Sequence, residues 1–262
     1  MASNTSDDTP FRLSQSEYWL QLHTELSNSK SLNSDEIECV LSTIEEVLSS
    51  VDFQSNPILD SIILVSVMCF EIITKDEALH SDSSLQKYLY RIVVPLSKTT
   101  ENAGYLVAEK FLCQALKLVS NDVVNLDVRL EILTVFNVII SNLTTTSRIH
   151  VWKSTELRAS ICNFGANLVN FGDFDLQAHA IALLLRLVPH AYRKRFASLH
   201  ITGEQVELSA HFSRIDESSF ELGIRNFLNS LNMSIIEDPK IVSLPCSSAF
   251  LCDTQVRVAY SD

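Results

Sequence analysis

Apolar residues recur every three or four positions along most of this chain, the spacing of a helix face rather than of a strand. Ile37, Val40, Leu41, Ile44, Val47, Leu48 and Val51 keep that period and leave Glu38, Glu45 and Glu46 for water, which predicts a helix with one buried face. The stretches 58–73, 123–143 and 176–188 are apolar almost all round, so each needs neighbours on two sides. Alternation of half-buried and fully buried helices fits an α-solenoid, in which each helical pair covers the core of the next. A compact helical bundle is the competing architecture, because no residue-level repeat is visible.

The period predicts helices near 15–28, 35–52, 57–74, 84–97, 101–119, 123–142, 154–170, 173–188, 190–199, 203–213 and 218–232. Ser14 with Glu17, Thr202 with Gln205 and Ser218 with Glu221 have capping-box spacing, and Asn56–Pro57 puts an N-cap before a proline at the first helical position. After Asp238–Pro239 the period shortens to two over Lys240–Leu244 and Gln255–Tyr260, which predicts short strands. Three segments follow. Residues 1–13 are small and polar and are expected to be disordered, 14–237 form the helical domain, and 238–262 are a short β tail or the start of a truncated second module.

Composition narrows the function classes. A chain of 262 residues, 46% hydrophobic, can bury a large core. Its five glycines never fall into the spacing of a phosphate-cradling loop, so nucleotide binding by such a loop is excluded. The net charge of −12 is uneven: residues 1–146 hold 20 acids and 9 bases, whereas 147–262 hold 12 and 11. Direct nucleic-acid binding by the whole surface is disfavoured, since it needs dense positive charge. The N-terminus has neither a basic nor an apolar signal region, and Asp60 and Glu71 interrupt the longest apolar stretch. A soluble intracellular protein with reduced, packed cysteines is expected, and no membrane contact.

No catalytic, cofactor-binding or metal-binding residue is expected. His179, His190, His200 and His211 recur at ten or eleven residues, without the close ligand pairs that zinc requires. Cys246 and Cys252 lie too far apart for a CxxC and have no partners. The basic cluster Arg193–Lys194–Arg195, with Arg186 before the corner at Pro189, gathers four positive charges in an acidic protein. It reads as a nuclear-import signal, an acidic-partner site or a local DNA contact, or as a plain solvated helix face.

Three phrases in the last third stand out: Gly172–Gln177 (GDFDLQ), Phe220–Asn232 (FELGIRNFLNSLN) and Leu244–Leu251 (LPCSSAFL). In order and spacing they resemble the N-terminal armadillo-repeat-like domain of the synaptonemal complex protein 2 family. That family's pattern opens a helix with G-D-aromatic-acid-L-Q, continues with F-E-x-x-x-R-x-F-L-N-x-L-N, and ends with P-C-x-x-A-F-L. The resemblance covers about 80 residues and departs at Cys252, where an acid is expected. It implies an all-α, armadillo-like right-handed α-solenoid with a short β-containing tail. The function it implies is a non-enzymatic scaffold of the meiotic chromosome axis, nuclear and chromosomal, that acts in synapsis or recombination by binding other chromosomal or meiotic proteins; the alternatives are a general armadillo-type adaptor outside meiosis and a DNA-binding accessory factor of meiotic double-strand break formation. The family's C-terminal coiled coil, which assembles axis fibres, has no counterpart within these residues. Oligomeric state stays open.

Most of the matched residues read as caps and core: Asp173 as an N-cap, Leu176, Ala180, Leu183, Leu184 and Leu187 as one stripe, and Phe220, Ile224, Phe227, Leu228 and Leu231 as another. Arg225, Asn229 and Asn232 share a face away from that second stripe. They either tie down the tail by hydrogen bonds, the favoured reading, or meet a partner.

Overall fold

The computed structural model describes residues 18–19, 21–22, 24, 34–50, 59–75, 88–216, 220–235, 241, 243, 249–251 and 254–256. They fall into two compact units, Met1–Phe164 and Gly165–Asp262. Up to Ile235 their regular structure is all helical: α1 (Ser34–Ser50), α2 (Leu59–Lys75), a π-helical turn (Leu89–Val93) running into α3 (Val94–Lys98), α4 (Glu101–Val119), α5 (Leu126–Asn142), α6 (Thr145–Lys153), α7 (Thr155–Ala166), a 3-10 turn (Leu168–Asn170), α8 (Phe174–Leu187), α9 (His190–His200), α10 (Val206–Arg214) and α11 (Phe220–Ile235).

In the first unit the core is built on aromatic contact. Phe70 of α2 stacks on Tyr88 with ring centroids 6.0 Å apart and tilts against Phe111 of α4 at 5.5 Å, and all three are fully buried. The Tyr88 hydroxyl donates to the Ser66 carbonyl, satisfying it away from water. Beside it, burial pushes the Cys69 thiol up to about 12, so this cysteine is an inert packing group. Cys39 is exposed, against the expectation of packed thiols, because it falls on the solvent side of α1.

The π-helical turn has a local cause. Pro95 has no N–H to return to the Arg91 carbonyl, and its ring crowds that carbonyl. The helix widens instead, and the Val94 N–H reaches back five residues to Leu89. The widened turn projects Arg91 toward α1, where it donates to Glu38 (2.8 Å) and, through Nε, to Glu45 (3.1 Å). Glu38 and Glu45 are thus not merely left to water. The Arg91 hydrogen bond also holds the Glu45 carboxyl below its ordinary range.

Several boundaries differ from the sequence pattern, among them the start of α10 at Val206 rather than near 203 and the end of α11 at Ile235 rather than near 232, and one helix lies outside it. Helix α5 starts at Leu126 rather than near 123, because the Asn125 side chain caps it by accepting from Asp127 N (2.8 Å). Helix α6 has no counterpart in the pattern, since its only fully buried residue is Val151 and it shows no apolar stripe. Thr144, which accepts from Ser147 N (3.2 Å), was the available start signal.

In the second unit Gly172 (φ 74°) takes the left-handed turn that lets Asp173 cap α8 by accepting from Leu176 N at 2.8 Å. Phe196 of α9, Phe212 of α10 and Phe227 of α11 form a buried ladder with centroids 6.3 and 5.5 Å apart. Gly165 lies under Phe196, where a Cβ would sit 2.8 Å from the ring. The Thr202–Gln205 capping box does not form. Thr202 is buried and bonds back to the Ala197 carbonyl, closing the end of α9, while Gln205 sits at the N-cap of α10.

The segment 249–256 holds two three-residue strands, β1 (Ala249–Leu251) and β2 (Thr254–Val256), paired antiparallel with Phe250 opposite Gln255. The strand expected over 240–244 is not seen at Ile241 or Ser243, which are irregular. The other residues of that stretch, residues 257–260 of the second expected strand, the Cys246–Cys252 pair, the caps at Ser14, Asn56 and Ser218, and the N-terminal 13 residues lie outside the described residues.

Candidate interaction surface

The second unit contains both polar clusters singled out in the sequence, and it treats them differently. On α11, Asn232 is fully buried and pairs reciprocally with Gln177 of α8, its Nδ2 donating to Gln177 Oε1 (2.9 Å) and its Oδ1 accepting from Gln177 Nε2 (3.1 Å). The remaining donors are also used: Gln177 reaches the Leu168 carbonyl (3.1 Å) and Asn232 the Ile241 carbonyl (3.3 Å). One turn earlier, Asn229 accepts from Ser243 N (3.0 Å) and donates to Ser243 O (2.9 Å). The two asparagines therefore bind the chain that follows α11. Asn232 does not face away from the core, because the Gln177 amide fills the place opposite it. Arg225 is half-buried, with Nε shut from solvent and no acceptor for it among the described residues.

Around the α8–α9 corner the four basic residues divide in two. Arg186 lies over the Phe220 ring, 5.2 Å from its centroid, in a cation–π contact between α8 and α11. Arg193 turns inward and donates to the carbonyls of Leu185 (2.6 Å), Val188 (3.3 Å) and Ile215 (3.4 Å). These carbonyls close α8 and α10, so one guanidinium caps the negative ends of two helices. Lys194 and Arg195 point outward and are exposed. The corner consequently presents two outward cations rather than four.

Beside α9, helices α10 and α11 enclose an open groove of ≈ 720 Å³ lined by Val206, Leu208, His211, Arg214, Ser230 and Ser234. His211 stands edge-on to Phe227 at 5.9 Å, and burial together with Arg214 lowers its pKa. Among the described residues no three His, Cys, Asp or Glu side chains are placed to hold a metal ion. No helix among them is long and apolar enough to cross a membrane.

The pairing of Gln177 with Asn232 joins two of the three phrases that stood out in the sequence, and Asn232 and Asn229 fasten the stretch that leads into the third. What sequence reasoning missed is this partnership. Its available signal was the joint presence of a glutamine and an asparagine at otherwise apolar helical positions.

No family model matches the chain. Synaptonemal complex protein 2 of Homo sapiens is 24% identical over 185 residues, covering 71% of this chain and 12% of that protein. Synaptonemal complex protein 2 of Mus musculus is 23% identical over the same length. The synaptonemal complex protein 2-like protein of Xenopus laevis is 26% identical over 150 residues, or 57% of this chain and 15% of that one. A solved synaptonemal complex protein shares the fold with a TM-score of 0.63 at 18% identity, over 93% of this chain and 63% of its own. The curated relatives that the chain matches are thus synaptonemal complex protein 2 and 2-like proteins, and it spans about an eighth of the length of the human and mouse synaptonemal complex protein 2 (12%).

Proposed function

We propose, from this kinship with synaptonemal complex protein 2, that the chain is a non-enzymatic interaction module of the meiotic chromosome axis or synaptonemal complex. It serves chromosome synapsis or meiotic recombination in the nucleus by binding other chromosomal or meiotic proteins. The observation that carries the reading is the joint agreement in sequence over 71% of the chain and in fold over 93% of it. The helical architecture suits the role. In an armadillo-like right-handed solenoid, successive helical pairs offer a preformed surface to a peptide or helix, so that binding orders the partner and leaves the scaffold unchanged.

The test is removal of the gene in an organism whose meiosis can be followed. Failed or delayed synapsis of homologues with normal somatic growth is the expected result. Normal synapsis and normal crossover numbers would overturn the reading.

A further inference from the structure

The chain that leaves α11 doubles back along it. Asn232 donates to the Ile241 carbonyl (3.3 Å), whereas Asn229, earlier on the helix, holds Ser243, further along the tail. Asn229 accepts from the Ser243 N–H (3.0 Å) and donates to its carbonyl (2.9 Å). Its amide thus takes the place of a neighbouring strand and reads the backbone alone. Among the described residues, the hydrogen bonds that reach Ile241 and Ser243 all come from these two side chains, and neither residue is fully buried.

The helices build this seat without help from the tail. Gln177 fixes which way the Asn232 amide faces: Oδ1 accepts from Gln177 Nε2 and Nδ2 donates to Gln177 Oε1, which leaves the second Nδ2 hydrogen for the Ile241 carbonyl. Departure of the tail leaves little unpaired in the core. Asn232 keeps its reciprocal pair with Gln177 and loses only its longest bond. Asn229 lies on a half-exposed side of α11, where water replaces Ser243.

We propose that Gln177, Asn232 and Asn229 form a latch from which the segment carrying Ile241 and Ser243 detaches and redocks while α8 and α11 stay folded. Bonds between side chain and backbone are each of modest net strength against water, and these hold far less than the buried apolar stripes of the two helices. Release frees the chain that follows α11, the β1–β2 hairpin with it. The latch therefore decides whether that chain is held along α11 or swings clear of it. It is a property of the fold and does not depend on the interaction-module reading.

Native-state hydrogen exchange on the full chain, read residue by residue by NMR in urea below the unfolding transition, tests this. The Ser243 amide is expected to exchange through an opening that urea barely affects, roughly tenfold or more faster than the slowest amides of α8 and α11. Asn229→Ala should speed Ser243 about fivefold and leave the helix amides unchanged. Ser243→Pro removes the N–H that Asn229 receives and provides a second variant, in which the side-chain amide protons of Gln177 and Asn232 should stay slow. Four results would each overturn the latch: exchange of Ser243 only together with α11 and with the same urea dependence, no response of Ser243 to Asn229→Ala, equal acceleration of the helix amides by that variant, or loss of the slow side-chain protons in Ser243→Pro.

Discussion

The amide face of α11 and the cationic face of α9 look alike in the sequence, each a run of polar residues on a helix with an apolar opposite side, but folding treats them in opposite ways. Asn229 and Asn232 are short, uncharged and two-sided in hydrogen bonding, so each can be satisfied by the chain itself through a matching amide or one peptide unit. Lys194 and Arg195 carry charge whose burial costs several kcal/mol by rough estimate unless a partner is at hand, and they stay in water. Arg193 marks the dividing line. It is charged but reaches three carbonyls left open at helix ends, and those acceptors draw its guanidinium inward. A polar helix face is therefore structural or outward according to whether the fold supplies enough partners for it.

Substitution can break this contrast at several points. Asn232→Leu should have the largest effect, about 2–3 kcal/mol lost in urea unfolding, because it leaves the buried Gln177 amide short of partners. Adding Gln177→Leu should restore part of that loss, since two apolar groups replace the broken pair. No recovery in the double variant would mean that the amides do not act as a pair. Arg193→Ala should cost about 2 kcal/mol through the carbonyls at the ends of α8 and α10. Arg193→Lys should recover little of it, because one ammonium cannot span three acceptors. Asn229→Ala is expected to cost about 1 kcal/mol and to speed hydrogen exchange at the Ser243 amide, which otherwise donates to Asn229.

Smaller still is the effect of pH. Burial lowers the His200 and His211 pKa values from their ordinary 6.5, with Arg214 adding to the shift at His211. The unfolded chain then binds more protons than the folded one as pH falls through 6.5, so stability should decline gently below that pH and level off above it. His211→Gln should flatten the slope in an unfolding series across that range. Last, Lys194→Ala/Arg195→Ala should change stability by less than about 0.5 kcal/mol, since these side chains make no contact that the fold requires. A larger loss would place them with Arg193, inside the structural set.

Much of the helical order was legible because the apolar period is local. Helix α4 falls on the expected 101–119, and the stripe Leu176, Ala180, Leu183, Leu184 and Leu187 is buried along its length. What escaped depended on contacts distant in sequence or on chemistry that periodicity does not register. The π-helical turn follows from one missing N–H at Pro95, and its value to the fold appears only when Arg91 meets Glu38 and Glu45 on α1. Thr202 carries a capping-box signature but finds the Ala197 carbonyl nearer. Of the seven candidate contact residues, composition could not tell Arg193 from Arg195. The distinction arises at a corner where Arg193 faces three open carbonyls and Arg195, just over half a turn further on, faces solvent.

Fluorescence of the tagged chain on spread meiotic chromosomes tests the central claim most directly. The account predicts linear signal along chromosome axes in wild type. Diffuse nuclear or cytoplasmic signal in wild-type meiotic cells would contradict it.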